Sequence, residues 1–179
     1  MIPDELRRIM PNARQRADEY ADILTDVMDR YEINTPLRQS MWLANVGHES
    51  LDLRYTEEIA SGDAYEGRED LGNTEQGDGR RFKGHGLMQL TGRHNHQKYA
   101  DYKGVSIEEI LGYLQTPDGA ADVAGWFWTV FKSLNDEADR GDFLTVCKRI
   151  NGTNRQTGLP NGWPDRQNRY DRARRVLGA

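Results

Sequence analysis

The feature that most constrains this chain is an alternation. Capped segments of helical period lie on either side of residues 61 to 86, a glycine-rich, charged stretch with hardly any period. From Ala13 to Tyr31 the residues Ala17, Tyr20, Ala21, Leu24, Val27, Met28 and Tyr31 recur at the spacing of one helix face, which predicts an amphipathic helix. Thr35-Pro36 reads as an N-cap followed by proline at the first helical position, opening a helix to Ser50. Leu37, Met41, Ala44 and His48 share one stripe of that helix, and Trp42, Asn45 and Glu49 the adjoining one. Further on, Ser106-Ile107-Glu108-Glu109 has the form of a capping box, and Thr116-Pro117 repeats the cap-plus-proline start. The aromatic-rich segment from Ala120 to Leu134 is expected to be the central core helix. Asp142 is placed to cap Phe143 to Ile150, and Trp163 to Leu177 forms a last helix with Gly178 after it. Strand signals are confined to one short hairpin within Arg81 to Leu90. The fold class is therefore mainly α, and 179 residues suffice for a single domain, 1–179, with a proper core and no separate binding module.

Charge and cysteine usage remove other classes. A net charge of −5 and a pI near 5.4 do not suit a general nucleic-acid binder. The balance is uneven: from Lys148 to Ala179 there are eight Lys or Arg against two Asp. Such a basic C-terminal helix either forms an ordinary solvated face or touches an anionic bacterial envelope. Cys147 is the single cysteine, so no intramolecular disulfide forms; beside Val146 and Ile150 it reads as a small buried hydrophobe. The apolar cluster Trp126 to Phe131 is far too short to span a bilayer, so no stable membrane insertion is expected. The opening residues have no apolar h-region, and we expect a chain folded in a cytoplasm without a secretory signal.

Chemistry concentrates between His48 and Asn95. Glu49 closes a helix, and Glu58 follows on a polar stretch beside Glu57. Then comes the run Gly84-His85-Gly86-Leu87-Met88-Gln89-Leu90-Thr91-Gly92-Arg93. Two carboxylates brought together by a turn before a glycine-lined cleft are the equipment for glycosidic bond cleavage. One protonates the leaving oxygen, and the other attacks the sugar or activates water. The negative end of the helix dipole and burial beside Trp42 favour a protonated Glu49, as a general acid requires, while Glu58 stands where an ionised base is easier to keep.

The order of short motifs is more specific than any one of them. His48-Glu49-Ser50, Glu58, Tyr65-Glu66-Gly67-Arg68, Leu71-Gly72-Asn73 and Gly77-Asp78-Gly79 are followed by Phe82-Lys83-Gly84-His85-Gly86-Leu87-Met88-Gln89-Leu90-Thr91-Gly92-Arg93-His94-Asn95. Leu134-Asn135, Ala138 to Asp142, Arg149-Ile150-Asn151-Gly152, Asp165-Arg166, Tyr170 and Leu177-Gly178 complete the series. Over roughly residues 13 to 178 the chain resembles glycoside hydrolase family 19, the chitinase family, and within it the phage and prophage endolysins.

That resemblance implies a lysozyme-like, two-lobed helical fold with a central substrate cleft and an inverting mechanism. By motif position Glu49 would be the general acid, Glu58 the general base and Thr91 a hydroxyl that helps hold the attacking water. A hydroxyl suits this because it donates and accepts at once. Gln89, Asn95 and Asn151 match positions that grip the sugar, and His48 and Tyr65 join them as substrate contacts. Arg166 matches an arginine that supports the carboxylates; the plainer reading is an ion pair with Asp165 or Asp171. For Thr91 and Asn151 the plainer reading is a cap or turn, and for Gln89 a bond to backbone. The chain departs from the family at Gly84-His85-Gly86, where many members have Gly-Arg-Gly, and at Lys83 or His96, where an aromatic is usual. These changes spare the acid and base but weaken any transfer of chitin specificity.

The expectation is therefore a monomeric endolysin. It would hydrolyse β-1,4 bonds of peptidoglycan glycan strands as a muramidase, waiting in the host cytoplasm for holin-dependent release and needing neither metal nor cofactor. The alternative within the family is a chitinase acting on β-1,4-linked N-acetylglucosamine polymers. Two other classes stand as rivals: a metal-dependent wall amidase using His48, His85, His94 and His96, and a non-catalytic wall-binding module. The first has only His94-x-His96 and no HExxH behind it, and the second should have lost its acid or base.

Overall fold

The computed structural model describes residues 1 to 179 throughout. Its α-helices are α1 (Pro3–Ile9), α2 (Arg16–Arg30), α3 (Pro36–Glu49), α4 (Asp78–Arg81), α5 (Arg93–Lys103), α6 (Ile107–Leu114), α7 (Pro117–Trp126), α8 (Asn135–Asp139), α9 (Phe143–Asn151) and α10 (Trp163–Leu177). There is no sheet. The expected hairpin amounts to two isolated antiparallel bridges, Glu57 with His85 and His85 with Leu90. Glycines and the left-handed Gln89 (φ 53°) bend this stretch too tightly for two strands to run side by side. No helix is long and apolar enough to cross a membrane.

The expected start signals are made as hydrogen bonds. Thr35 Oγ1 accepts from Arg38 N–H at 3.2 Å, and Asp142 Oδ1 from Thr145 N–H at 3.0 Å. The Ser106 capping box closes in both directions, with Glu109 N–H on Ser106 Oγ at 3.2 Å and Ser106 N–H on Glu109 Oε2 at 2.9 Å. Thr116 Oγ1 accepts from Gly119 N–H at 3.0 Å. Each such cap is worth about 1 kcal/mol to its helix. α1 and α4 carry no such periodic stripe and were not expected; α1 is opened by Glu5, whose carboxylate accepts from Ile2 N–H at 3.0 Å.

The helix expected from Ala120 to Leu134 is real only in part. α7 passes at Phe127 into a π-turn ending at Phe131, with Lys132 N–H on Phe127 C=O at 2.9 Å. The wider turn brings residues five apart into register, and the Trp126 and Phe131 rings stack at 5.2 Å with 17° between planes.

The chain forms two compact units, Met1–Arg54 with Gly125–Ala179, and Tyr55–Ala124. α3 is the axis of the first. Every residue from Ser40 to Gly47 is buried, so the helix is enclosed on all sides, with Trp42 fully covered. Its main neighbour is α10. A Cβ added at Gly47 would come within 2.9 Å of Arg169 Nη1, so glycine leaves room for that guanidinium beside α3. Cys147 is buried as expected, its thiol pushed up to about 12 chiefly by burial.

The second unit buries Phe82, Leu87, Leu90, Tyr99, Ile110 and Leu114. The long loop before them is organised by polar side chains instead. Glu66 accepts from Gly77 N–H at 2.7 Å and Gly79 N–H at 2.8 Å. The buried Asn73 donates to Tyr65 C=O and accepts from Arg93 N–H, both at 2.8 Å. Arg93 also grips both oxygens of buried Asp78, at 2.8 and 2.6 Å, and holds that carboxyl below its ordinary range. A loop tied down in this way can present side chains at fixed positions.

Candidate active site

The expected site residues divide between the units. His48, Glu49, Asn151 and Arg166 belong to the first, and Glu58, Tyr65, Gln89, Thr91 and Asn95 to the second.

In the first unit, Glu49 is the last residue of α3, half-buried, and Arg166 donates from Nη2 to its Oε1. Arg166 is wholly buried in α10. Its other nitrogens are committed as well, Nη1 to Asn45 Oδ1 at 2.6 Å and Nε to Asn161 C=O at 3.0 Å. Asn45 lies one turn before Glu49 and is fixed by its own bond to Met41 C=O at 2.8 Å. The planar guanidinium is thus oriented by neutral oxygens and aims its remaining arm at one carboxylate. The ion pair with Asp165 or Asp171 is not made, because Asp165 is taken by others. His48 Nδ1 lies 2.7 Å from Asp165 Oδ2, which also accepts from Arg169 Nε at 2.7 Å. Arg169 in turn pairs with fully buried Asp52. Asn151 ends α9, exposed.

In the second unit the carboxylate is held by neutral donors. Tyr65 Oη–H donates to Glu58 Oε1 and Gly84 N–H to Oε2, each at 3.0 Å. Glu58 N–H closes the contact on Gly84 C=O at 2.8 Å. A Cβ at Gly84 would sit 2.7 Å from Gln89 Oε1, so a larger residue there would push the Gln89 side chain aside. Tyr65, expected as a sugar contact, therefore has its hydroxyl proton committed to Glu58. Gln89 Nε2 donates to Gly86 C=O at 3.0 Å, Thr91 Oγ1 to Gln89 C=O at 3.0 Å, and Asn95 Nδ2 to Thr91 C=O at 2.8 Å. Thr91 gives its hydrogen to the protein and keeps its oxygen lone pairs for an incoming donor.

Two residues at the departures noted above turn out to touch. His96 Nδ1 lies 2.8 Å from Gly92 C=O, which can only accept, so the proton is on Nδ1. His96 Nε2 is then the acceptor for His85 Nδ1–H at 3.0 Å. Burial lowers both rings' affinity for a further proton, taking His96 to about 3. The four histidines do not converge, and no group of three His, Cys, Asp or Glu is placed to hold a metal ion.

Sequence reasoning missed Asn45, Gly84 and the histidine couple as supporting groups. Asn45 was readable, since it lies four residues before Glu49 on the same stripe. The other two depend on loop conformation, for which the sequence carries no period.

No family model matches the chain. Over 97 residues, 53% of its length, it is 30% identical to a glycosyl hydrolase family 19 domain-containing protein of Haemophilus influenzae. The chain spans 45% of that relative. Among solved structures, chitinase C from Streptomyces griseus superposes with a TM-score of 0.75 at 20% identity, covering 98% of this chain and 76% of that one. A bacterial family 19 chitinase gives 0.76 at 20% identity over 98% and 94%. A family 19, class IV chitinase from Zea mays gives 0.68 at 19% identity over 88% and 79%. At these identities the structural likeness establishes the fold.

Proposed function

We propose that the chain is a glycoside hydrolase of family 19 that hydrolyses β-1,4 glycosidic bonds of bacterial peptidoglycan as a muramidase, with inversion. The observation that carries the reading is that each expected carboxylate has a dedicated and chemically different holder: a buried guanidinium for Glu49, and a hydroxyl with a backbone amide for Glu58.

The two holders suit two roles. Glu49 gives its proton to the leaving oxygen from Oε2, since Oε1 faces Arg166. The carboxylate charge that grows as the proton leaves meets a cation already in place, a stabilisation larger in the transition state than before it. Glu58 takes a proton from water, and Tyr65 and Gly84 fix the direction of its lone pairs without adding a charge. The water's other hydrogen stays on its oxygen and donates a hydrogen bond to Thr91 Oγ1, whose own hydrogen is turned to Gln89. That water attacks the anomeric carbon from the face opposite the leaving group, and one displacement inverts the configuration.

The peptidoglycan preference rests on the changes at His85 and His96 within an otherwise matching run. The proposed setting is lysis of a host bacterium by a phage-type enzyme released through a holin. The test is digestion of purified peptidoglycan, with mass spectrometry of the sugars after borohydride reduction. Reduced muramic acid ends are expected. Reduced glucosamine ends, or turnover of chitin oligomers alone, would overturn the muramidase assignment.

A further inference from the structure

Arg166 and Arg169 stand one turn apart on α10 and both reach towards the end of α3, yet they are used differently. Arg169 is divided between two carboxylates, Asp52 through Nη1 and Asp165 through Nε at 2.7 Å. Arg166 meets one carboxylate only, that of Glu49. Its Nη1 goes to Asn45 Oδ1 at 2.6 Å and its Nε to Asn161 C=O at 3.0 Å. Position 45 thus holds an amide where the neighbouring cluster has a second carboxylate.

That amide cannot be turned round. A guanidinium only donates and a backbone carbonyl only accepts, so Oδ1 must face Arg166 while Nδ2 donates to Met41 C=O at 2.8 Å. Oδ1 also accepts from the Cys147 thiol, whose Sγ is 3.5 Å away. Burial pushes that thiol up to about 12, so it stays a neutral donor. Asn45, Cys147 and Arg166 are all fully buried, where charges act on one another with little screening by water. The other ionisable groups on the helices packed against α3 are engaged elsewhere in part. Asp165 and Arg169 belong to the cluster with His48 and Asp52, and on α8 Asp139 is taken by Arg38 and Glu137 by Arg149.

We propose that Asn45 is a positioning residue for the general acid: being neutral, it reserves the charge of Arg166 for the carboxylate that forms on Glu49 as its proton leaves. The inference rests on the reading of Glu49 as the acid and deepens it. An aspartate of the same shape would share the guanidinium. It would also set a second negative charge one turn from Glu49, opposing the charge that grows there. Once protonated, the introduced carboxyl would again accept from Arg166 and donate to Met41, as the amide does.

The experiment compares Asn45→Asp and the neutral Asn45→Ser with the wild type between about pH 8 and pH 5. Rates are read on soluble glycan strands from peptidoglycan and on an N-acetylglucosamine oligomer, whichever the wild type cleaves. In Asn45→Asp kcat should lie about tenfold below wild type at pH 8, with KM within about twofold, and the ratio to wild type should climb as pH falls. In Asn45→Ser the ratio should be the same at every pH. A flat ratio in Asn45→Asp, a loss carried by KM, or the same pH dependence in Asn45→Ser would overturn the proposal. Thermal midpoints at both ends of the range check the fold. An Asn45→Asp chain unfolded throughout would also overturn it, because position 45 would then serve packing alone. The glycan enters only as substrate, so a failed muramidase assignment and a failed positioning role are separate results; a wild type that cleaves neither glycan would sink both.

Discussion

The two units solve the same problem, holding one carboxylate still, by opposite means. Glu49 is held by a wholly buried cation 117 residues away in sequence, which is itself oriented by Asn45 and Asn161. Glu58 is held by uncharged donors 7 and 26 residues away, on a loop with little apolar content. A buried cation is costly unless every arm is bonded, so the first arrangement needs an enclosed helical core around it. The second needs only a loop whose backbone is fixed. One carboxylate therefore faces a cation and the other faces only neutral donors.

The largest expected effect comes from Glu49→Gln, which keeps an oxygen for Arg166 but has no acidic proton. We expect kcat to fall about 10⁴-fold, with a thermal midpoint close to wild type. Loss of activity accompanied by unfolding would break the comparison, because Glu49 would then be mainly a partner that keeps Arg166 soluble in the core. Glu58→Gln should lower kcat about 10³-fold, again with the fold intact in circular dichroism. Equal pH–rate profiles for the wild type and both variants' residual activities would contradict the division into acid and base.

Smaller changes sharpen the second unit. Thr91→Ala should cost about 10²-fold in kcat with little change in KM, and Thr91→Ser should recover most of it. Tyr65→Phe removes one of the two donors to Glu58, and we expect roughly a tenfold loss in kcat. If Tyr65→Phe instead raises KM alone, the hydroxyl serves the sugar and not the carboxylate.

A further effect is on stability rather than on rate. His96 is buried neutral, and its folded affinity for protons is depressed to about 3. The unfolded chain therefore binds the extra proton first as pH falls below the ordinary histidine value. Stability from this group is complete above about pH 6.5 and is lost towards pH 3, by at most about 1.4 kcal/mol per pH unit. Urea unfolding at pH 7 and pH 4.5 should show this slope in the wild type and a smaller one in His96→Phe. Identical slopes would mean that the ring is not sealed.

Much of this was legible locally. Thr35, Ser106, Thr116 and Asp142 each announce a helix start by side-chain chemistry that acts over three residues, and each makes the expected bond. The stripe carrying Trp42, Asn45 and Glu49 follows from helical period alone. The Arg166–Glu49 contact followed from motif order and not from physics, since no periodicity links residues so far apart. The π-turn at Phe127 was hidden because the Trp126 and Phe131 rings that stack across it look like ordinary core composition in sequence. The His85–His96 couple was hidden for another reason. Four scattered histidines suggest ligands before they suggest one ring donating to another, and only the carbonyl of Gly92 fixes the direction.

The central claim, that Glu49 and Glu58 drive a single displacement by water, is tested most directly by the anomer first released. Proton NMR of the products within the first minutes of peptidoglycan digestion, before mutarotation, should show the α-anomer from the β-linked strand. Initial release of the β-anomer would mean a covalent intermediate, with one carboxylate as nucleophile, and would contradict the account.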